Sequence, residues 1–135
     1  MPKPAHDTKQ GRGQAGWEPL LELLRTFRDD RDWKQFHHPK DLAAAIAIEA
    51  GELQELFLWK KNDEVEADLA EPSRRRAVVD ELADVLICTL LLADRLGIDI
   101  DTAVREKTAA NARKYPVSRA RGTARKYTEL RDPPS

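Results

Sequence analysis

Apolar positions recur at helical spacing along most of the chain. From about Trp17, Leu20, Leu21, Leu23, Leu24 and Phe27 mark a first helix, with Pro19 suited to its opening turn and an end near Asp32. Trp33 to His38 is a short aromatic and histidine-rich connection. Pro39 then holds His38 extended and opens a second helix, expected to reach about Lys60. Asp41 in its first turn and Lys60-Lys61 at its end complement the helix dipole. The acidic stretch from Asn62 to Pro72 reads as a loop or a partial extra turn. Ser73 is the expected N-cap of a third helix that Gly97 closes. Val78, Leu82, Val85, Leu86, Leu90 and Leu91 are among the residues that make this helix apolar over most of its circumference. Such a helix is buried centrally or covered by a partner chain. Asp99 or Asp101 caps a fourth helix, which ends near Lys114 ahead of Tyr115-Pro116. No segment alternates with period two and no internal repeat is visible, so the expected fold is all-α, of the four-helix-bundle type.

Length and composition narrow this picture. The 135 residues suffice for one cored domain, expected over residues 17–117. Residues 1–16, rich in Pro and Gly, read as a disordered lead-in, and residues 118–135, basic and then Pro-rich, as an arm or tail. With 23 basic against 24 acidic residues, no bulk attraction to a nucleic-acid polymer or an anionic membrane is implied. The strongly apolar run from Val85 to Ala93 is too short to span a bilayer, and the N-terminus lacks the apolar stretch of a signal peptide. A cytoplasmic protein is the expectation. Cys88 is the single cysteine, which leaves no disulfide framework or zinc motif.

Candidate chemistry centres on the second and third helices. Leu42, Ile46, Leu53, Leu56 and Phe57 form one apolar stripe, and Glu49 falls inside it with Glu52 at its edge. An ionised carboxylate placed there costs several kcal/mol without a partner. Glu81 and Asp84 repeat the same three-residue spacing on the third helix. They share a polar sector with Asp80 and Asp94 and could simply face water, but Ile87, Cys88 and Leu91 interrupt that sector. Four gathered carboxylates stay ionised only beside cations or strong donors, and an all-oxygen set selects Mg²⁺ or Mn²⁺ over zinc. A ferritin-like di-iron centre needs Glu-x-x-His, which is missing.

Trp33 and Trp59 flank the second helix, in positions where a ring face can stay open to clamp a nucleobase, although a buried anchor is the commoner role. His37 and His38 could donate to a phosphate or a base edge. Lys107, Asn111 and Lys114 share one face of the fourth helix, a solvated stripe unless phosphate lies nearby. No P-loop, Gly-rich dinucleotide turn or Ser/His/Asp order is present.

Taken in order, several runs carry a family resemblance. They are Phe36-His37-His38-Pro39, Glu49-x-x-Glu52 continuing into Glu55-Leu56-Phe57-Leu58-Trp59-Lys60, Glu81-Leu82-Ala83-Asp84, Lys107-x-x-x-Asn111, and Arg113-Lys114-Tyr115-Pro116. The chain resembles the MazG-like all-α nucleotide pyrophosphohydrolases, and within them the dCTP pyrophosphatase branch, over about Trp17 to Leu130. The resemblance implies Mg²⁺-dependent hydrolysis of a deoxynucleoside triphosphate to the monophosphate and pyrophosphate. It implies Glu49, Glu52, Glu81 and Asp84 as metal ligands and catalytic carboxylates, and Trp33 and Trp59 as a base clamp assisted by His37. Lys107 and Asn111, with Lys114 and Tyr115 beyond them, would serve phosphate or sugar. It also implies a homotetramer with sites shared between chains. Leu24 stands where a related member carries a histidine, and Cys88 where a tyrosine can occur, which leaves the base preference open. The competing reading is a catalytically idle helical module that binds a nucleotide or a protein partner.

Overall fold

The computed structural model describes residues 16–130, so all but the last residue of the expected lead-in 1–16, and residues 131–135, lie outside them. The described residues form α1 (Glu18–Asp29), α2 (Pro39–Glu55), α3 (Asn62–Ala70), α4 (Pro72–Leu96), α5 (Ile100–Lys114) and a single turn, α6 (Val117–Ala120). Short 3-10 turns occupy Lys34–Phe36 and Tyr127–Glu129, and no strand occurs among the described residues. Nor is any described helix long and apolar enough to cross a membrane.

The long helix α4 is the centre. α2 packs along it most extensively, α1 and α3 pack on its other sides, and α5 makes no comparable packing with any of them. Leu90, Leu91 and Ala93 of α4 are buried together with Leu21 of α1 and Leu42 of α2. That core is thin for the apolar content of the chain. Leu20, Leu23 and Phe27 on α1 and Val79, Leu82 and Leu86 on α4 remain exposed.

Local chemistry sets the boundaries. Pro39 and Pro72 occupy first-turn positions, where the missing N–H costs nothing. Glu71, not Ser73, is the N-cap of α4, and the Ser73 hydroxyl donates to the Glu71 carboxylate at 2.8 Å. Gly97 takes φ +66°, so the Ile98 N–H reaches back to the Ala93 carbonyl at 2.9 Å and closes the helix. Asp99 caps α5 by accepting from the Thr102 N–H at 2.9 Å.

Besides that N-cap, two boundaries differ from the sequence expectation. α2 stops at Glu55 because the next N–H groups bond three residues back, Phe57 to Gln54 and Leu58 to Glu55, before Trp59 turns left-handed at φ +63°. The acidic stretch is a full helix, α3, whose start is fixed by the Lys61 N–H donating to Glu64 at 2.6 Å. The tail returns to α5, where the Tyr127 ring meets Tyr115 edge-on at a centroid distance of 6.1 Å.

Candidate active site

α2 and α4 run antiparallel, and their facing residues form one seam. Ala45 and Cys88 line a pocket at one end, Glu49, Glu52 and Glu81 meet in the middle, and Leu56 and Ala77 line a second cavity at the other end. Helical spacing produces this alignment, since residues 45, 49, 52 and 56 share one face of α2 as 77, 81, 84 and 88 share one face of α4.

At the centre, one carboxylate oxygen from each of Glu49, Glu52 and Glu81 lies within 4.8 Å of the others. Glu49 Oε2 and Glu81 Oε2 are buried and accept no hydrogen bond. Burial, followed by the charges of Glu52 and Asp84, holds the Glu49 carboxyl above its usual range. The same burial and the same two neighbours raise Glu81. Asp84 therefore faces the cluster electrostatically, although its oxygens fall outside the closest trio. Among the described residues, no basic side chain forms an ion pair with these groups. Hard oxygen donors at this spacing, two of them buried and unpartnered, fit a divalent cation such as Mg²⁺ or Mn²⁺.

The pocket at the Ala45 end has a volume of about 270 Å³. Trp33, Phe36 and His37 come to it from the connection before α2, Leu24 and Phe27 from α1, and Cys88 from α4. Phe27 meets the Trp33 ring nearly perpendicularly at 5.7 Å, which fixes the indole without covering it. His37 Nδ1 is buried there without a partner, and burial, with the Arg28 charge second, keeps the imidazole below its ordinary pKa. Cys88 joins pocket and cluster, because burial and then Glu49 and Asp84 raise its thiol pKa. The two departures from the family pattern, Leu24 and Cys88, thus sit in the same pocket.

The remaining predicted residues stand apart within this chain. Trp59 is 94% exposed in the turn after α2 and does not line the pocket. Lys107, Asn111 and Lys114 are exposed on α5, which packs little against the other helices, and Tyr115 engages Tyr127.

Sequence reasoning missed Arg28, which is only 5% exposed and lines the aromatic pocket. Its Nη1 donates to Asp94 at 3.2 Å and its Nε to Asp29 at 2.7 Å, while Arg25 Nε reaches Asp94 at 2.8 Å. The Arg28 carbonyl also accepts the Trp33 N–H at 3.0 Å, so the clamp between α1 and α4 carries the turn that presents the indole. The available signal was a charged residue on an apolar face of each helix, each requiring the other.

The sequence profile of the MazG-like family matches residues 44–130, which include all four carboxylates of the seam. The chain belongs to the MazG-like family. Among its relatives, human dCTP pyrophosphatase 1 is 44% identical over 124 residues, an alignment spanning 89% of this chain and 73% of the human protein. The bovine protein of the same name is 44% identical over 117 residues, spanning 84% of this chain and 69% of that one. The crystal structure of a pyrophosphatase from Archaeoglobus fulgidus superposes with a TM-score of 0.69 at 40% identity, covering 86% of this chain and 98% of that one. This MazG-like chain therefore shares fold and sequence with proteins named for pyrophosphatase activity.

Proposed function

We propose that this chain hydrolyses a deoxynucleoside triphosphate to the monophosphate and pyrophosphate, preferring dCTP or a modified cytosine nucleotide. The observation that carries the reading is the seam itself: two buried, unpartnered carboxylate oxygens beside an aromatic pocket. The relatives named dCTP pyrophosphatase 1 support the same substrate.

Glu49, Glu52, Glu81 and Asp84 hold Mg²⁺, with Mn²⁺ as an alternative of similar chemistry. When bound, the cation supplies Lewis acidity to the phosphate oxygens and to the attacking water. Glu49 and Glu81 are the inner pair, since each offers a buried oxygen with no other use. Glu52 is the exposed member, and it takes up the proton that the water gives. Trp33 offers a ring face to the base, and the neutral His37 presents Nδ1 to its edge.

Lys107, Asn111, Lys114 and Tyr115 act on phosphate or sugar from the unpacked α5, and Trp59 completes the base clamp. Both roles fit a homotetramer in which one chain completes its neighbour's site. The exposed apolar rows on α1 and α4 and the extended α5 support such an assembly. A cytoplasmic location is the reading that accompanies a nucleotide-pool substrate.

Replacing Glu49 by Gln keeps the volume and removes the charge. Turnover is expected to vanish while the helical circular-dichroism signal stays. Full turnover in this variant would contradict the assignment.

A further inference from the structure

Trp59 is held in a conformation that its side chain disfavours. Asp32 and Trp59 are the two non-glycine residues with positive φ among the described residues, and each belongs to a turn that presents a tryptophan. At Asp32, with φ +53°, the chemistry is ordinary. A short polar side chain tolerates the left-handed region, and Gln35 Nε2 donates both to the Asp32 carbonyl at 3.0 Å and to its carboxylate at 2.9 Å. An indole at φ +63° has no such local help. Strain of this kind persists only where the surrounding structure over-determines the backbone.

The restraint before Trp59 comes from α2, whose end tightens through the Phe57 and Leu58 N–H groups. The restraint after it comes from α3. The Lys61 N–H donates to Glu64 at 2.6 Å, and the Lys60 ammonium donates to the Asp68 carboxylate. The other Asp68 oxygen accepts from Arg74 Nη1 at 3.0 Å, and the same guanidinium gives its Nε to Glu71 at 2.9 Å. One carboxylate thus joins the residue after Trp59, the helix α3 and the first turn of α4. The Lys60 hydrogen bond above all, and then the Arg74 charge, outweigh partial burial and hold the Asp68 carboxyl below its usual range. Asp68 is not one of the clustered carboxylates. Nor does stability explain it, since the Lys60, Asp68 and Arg74 side chains are 34%, 27% and 54% exposed, and ion pairs so placed add little to global stability.

We propose that Asp68 is a positioning residue for Trp59: through Lys60 it locks the left-handed turn after α2 and so fixes where the indole stands. Its consequence for substrate rests on the base-clamp role of Trp59, whereas the lock is a property of the fold itself.

Chymotrypsin reads the lock without turnover, because cleavage after Trp59 requires the turn to open locally. The cut is timed on the full chain, with fragments 1–59 and 60–135 identified by mass. Asp68→Asn is expected to speed it about tenfold while Tm stays within about 2 °C of the wild type. Lys60→Met should match Asp68→Asn, and Asp68→Glu, which keeps the charge, should restore slow cleavage. A wild-type rate in Asp68→Asn, or a faster cut that merely tracks a fallen Tm, overturns the proposal. With Mg²⁺, Asp68→Asn should raise KM for dCTP about fivefold at constant kcat and add nothing in a Trp59→Ala background. A further rise in that double variant overturns the proposal, because Asp68 then acts through another residue. So does an unchanged KM in Asp68→Asn where Trp59→Ala raises it. Faster cleavage with KM unchanged in both single variants would keep the lock and refute the base clamp.

Discussion

Glu49 on α2 and Glu81 on α4 each bury a carboxylate oxygen with no hydrogen-bond donor, within a cluster whose oxygens lie inside 4.8 Å. Both carboxyls are held above their usual range, chiefly by burial. Raised carboxylate pKa values mean that the folded chain binds these protons more tightly than the unfolded chain. Their contribution is therefore best below about pH 4.5, the ordinary value, and is lost as the pH rises through the raised folded values. A divalent cation removes that penalty at neutral pH. Millimolar Mg²⁺ should raise Tm at about pH 7.5 more than at about pH 5, and Glu81→Gln should abolish most of the difference. Equal Tm shifts at both pH values, or in the variant, would count against a metal site here.

Asp94 ties α4 to α1 through Arg25 and Arg28, and the Arg28 side chain is nearly inaccessible. Burial pushes the Asp94 carboxyl up, but the two arginines outweigh it and hold the pKa below the usual range. Asp94→Asn removes the carboxylate that Arg25 and Arg28 share, leaving them only Glu18 and Asp29 on their own helix, and should cost about 3 kcal/mol. Thermal denaturation should show Tm falling by roughly 10 °C. A shift within the error of the wild type would mean that the clamp contributes nothing.

His37 gives a different pH signature. Its folded-state pKa lies below the ordinary 6.5, chiefly through burial. The unfolded chain therefore takes up the proton first, and stability falls as the pH drops below 6.5 toward the depressed value. His37→Gln should flatten the urea midpoint between about pH 7.5 and 5.5 and raise KM more than it lowers kcat. An identical pH slope in the variant would remove this role.

Trp33 and Trp59 separate binding from stability. Trp59 is 94% exposed, so Trp59→Ala should leave Tm within about 1 °C of the wild type, and any rise in KM then reports lost contact with the base. Trp33→Ala loses its edge contact with Phe27 as well as its ring face, and should raise KM by about tenfold without changing the metal requirement. Unchanged kinetics in both would discard the base clamp.

The long helices were legible because their apolar residues repeat at helical period and proline, glycine and aspartate mark the ends. Glu49 was legible as unusual because it interrupts an apolar stripe. α3 was not, since its acidic residues mask the one-turn spacing of Val65 and Leu69, which line the cavity against Ala77 and Val78 of α4. Periodicity alone overextends α2, because Leu56 and Phe57 keep the apolar period where the backbone has already tightened. The Arg28–Asp94 clamp and the return of Tyr127 to Tyr115 join residues distant in sequence, and periodicity says nothing about such pairs.

The most direct measurement is release of monophosphate and pyrophosphate from a panel of deoxynucleoside triphosphates, with Mg²⁺ and with EDTA. The account predicts conversion that requires Mg²⁺, stops in EDTA and is fastest with dCTP or its 5-substituted forms. No conversion of any triphosphate by the folded, Mg²⁺-loaded chain would contradict it, leaving a module that binds without catalysis.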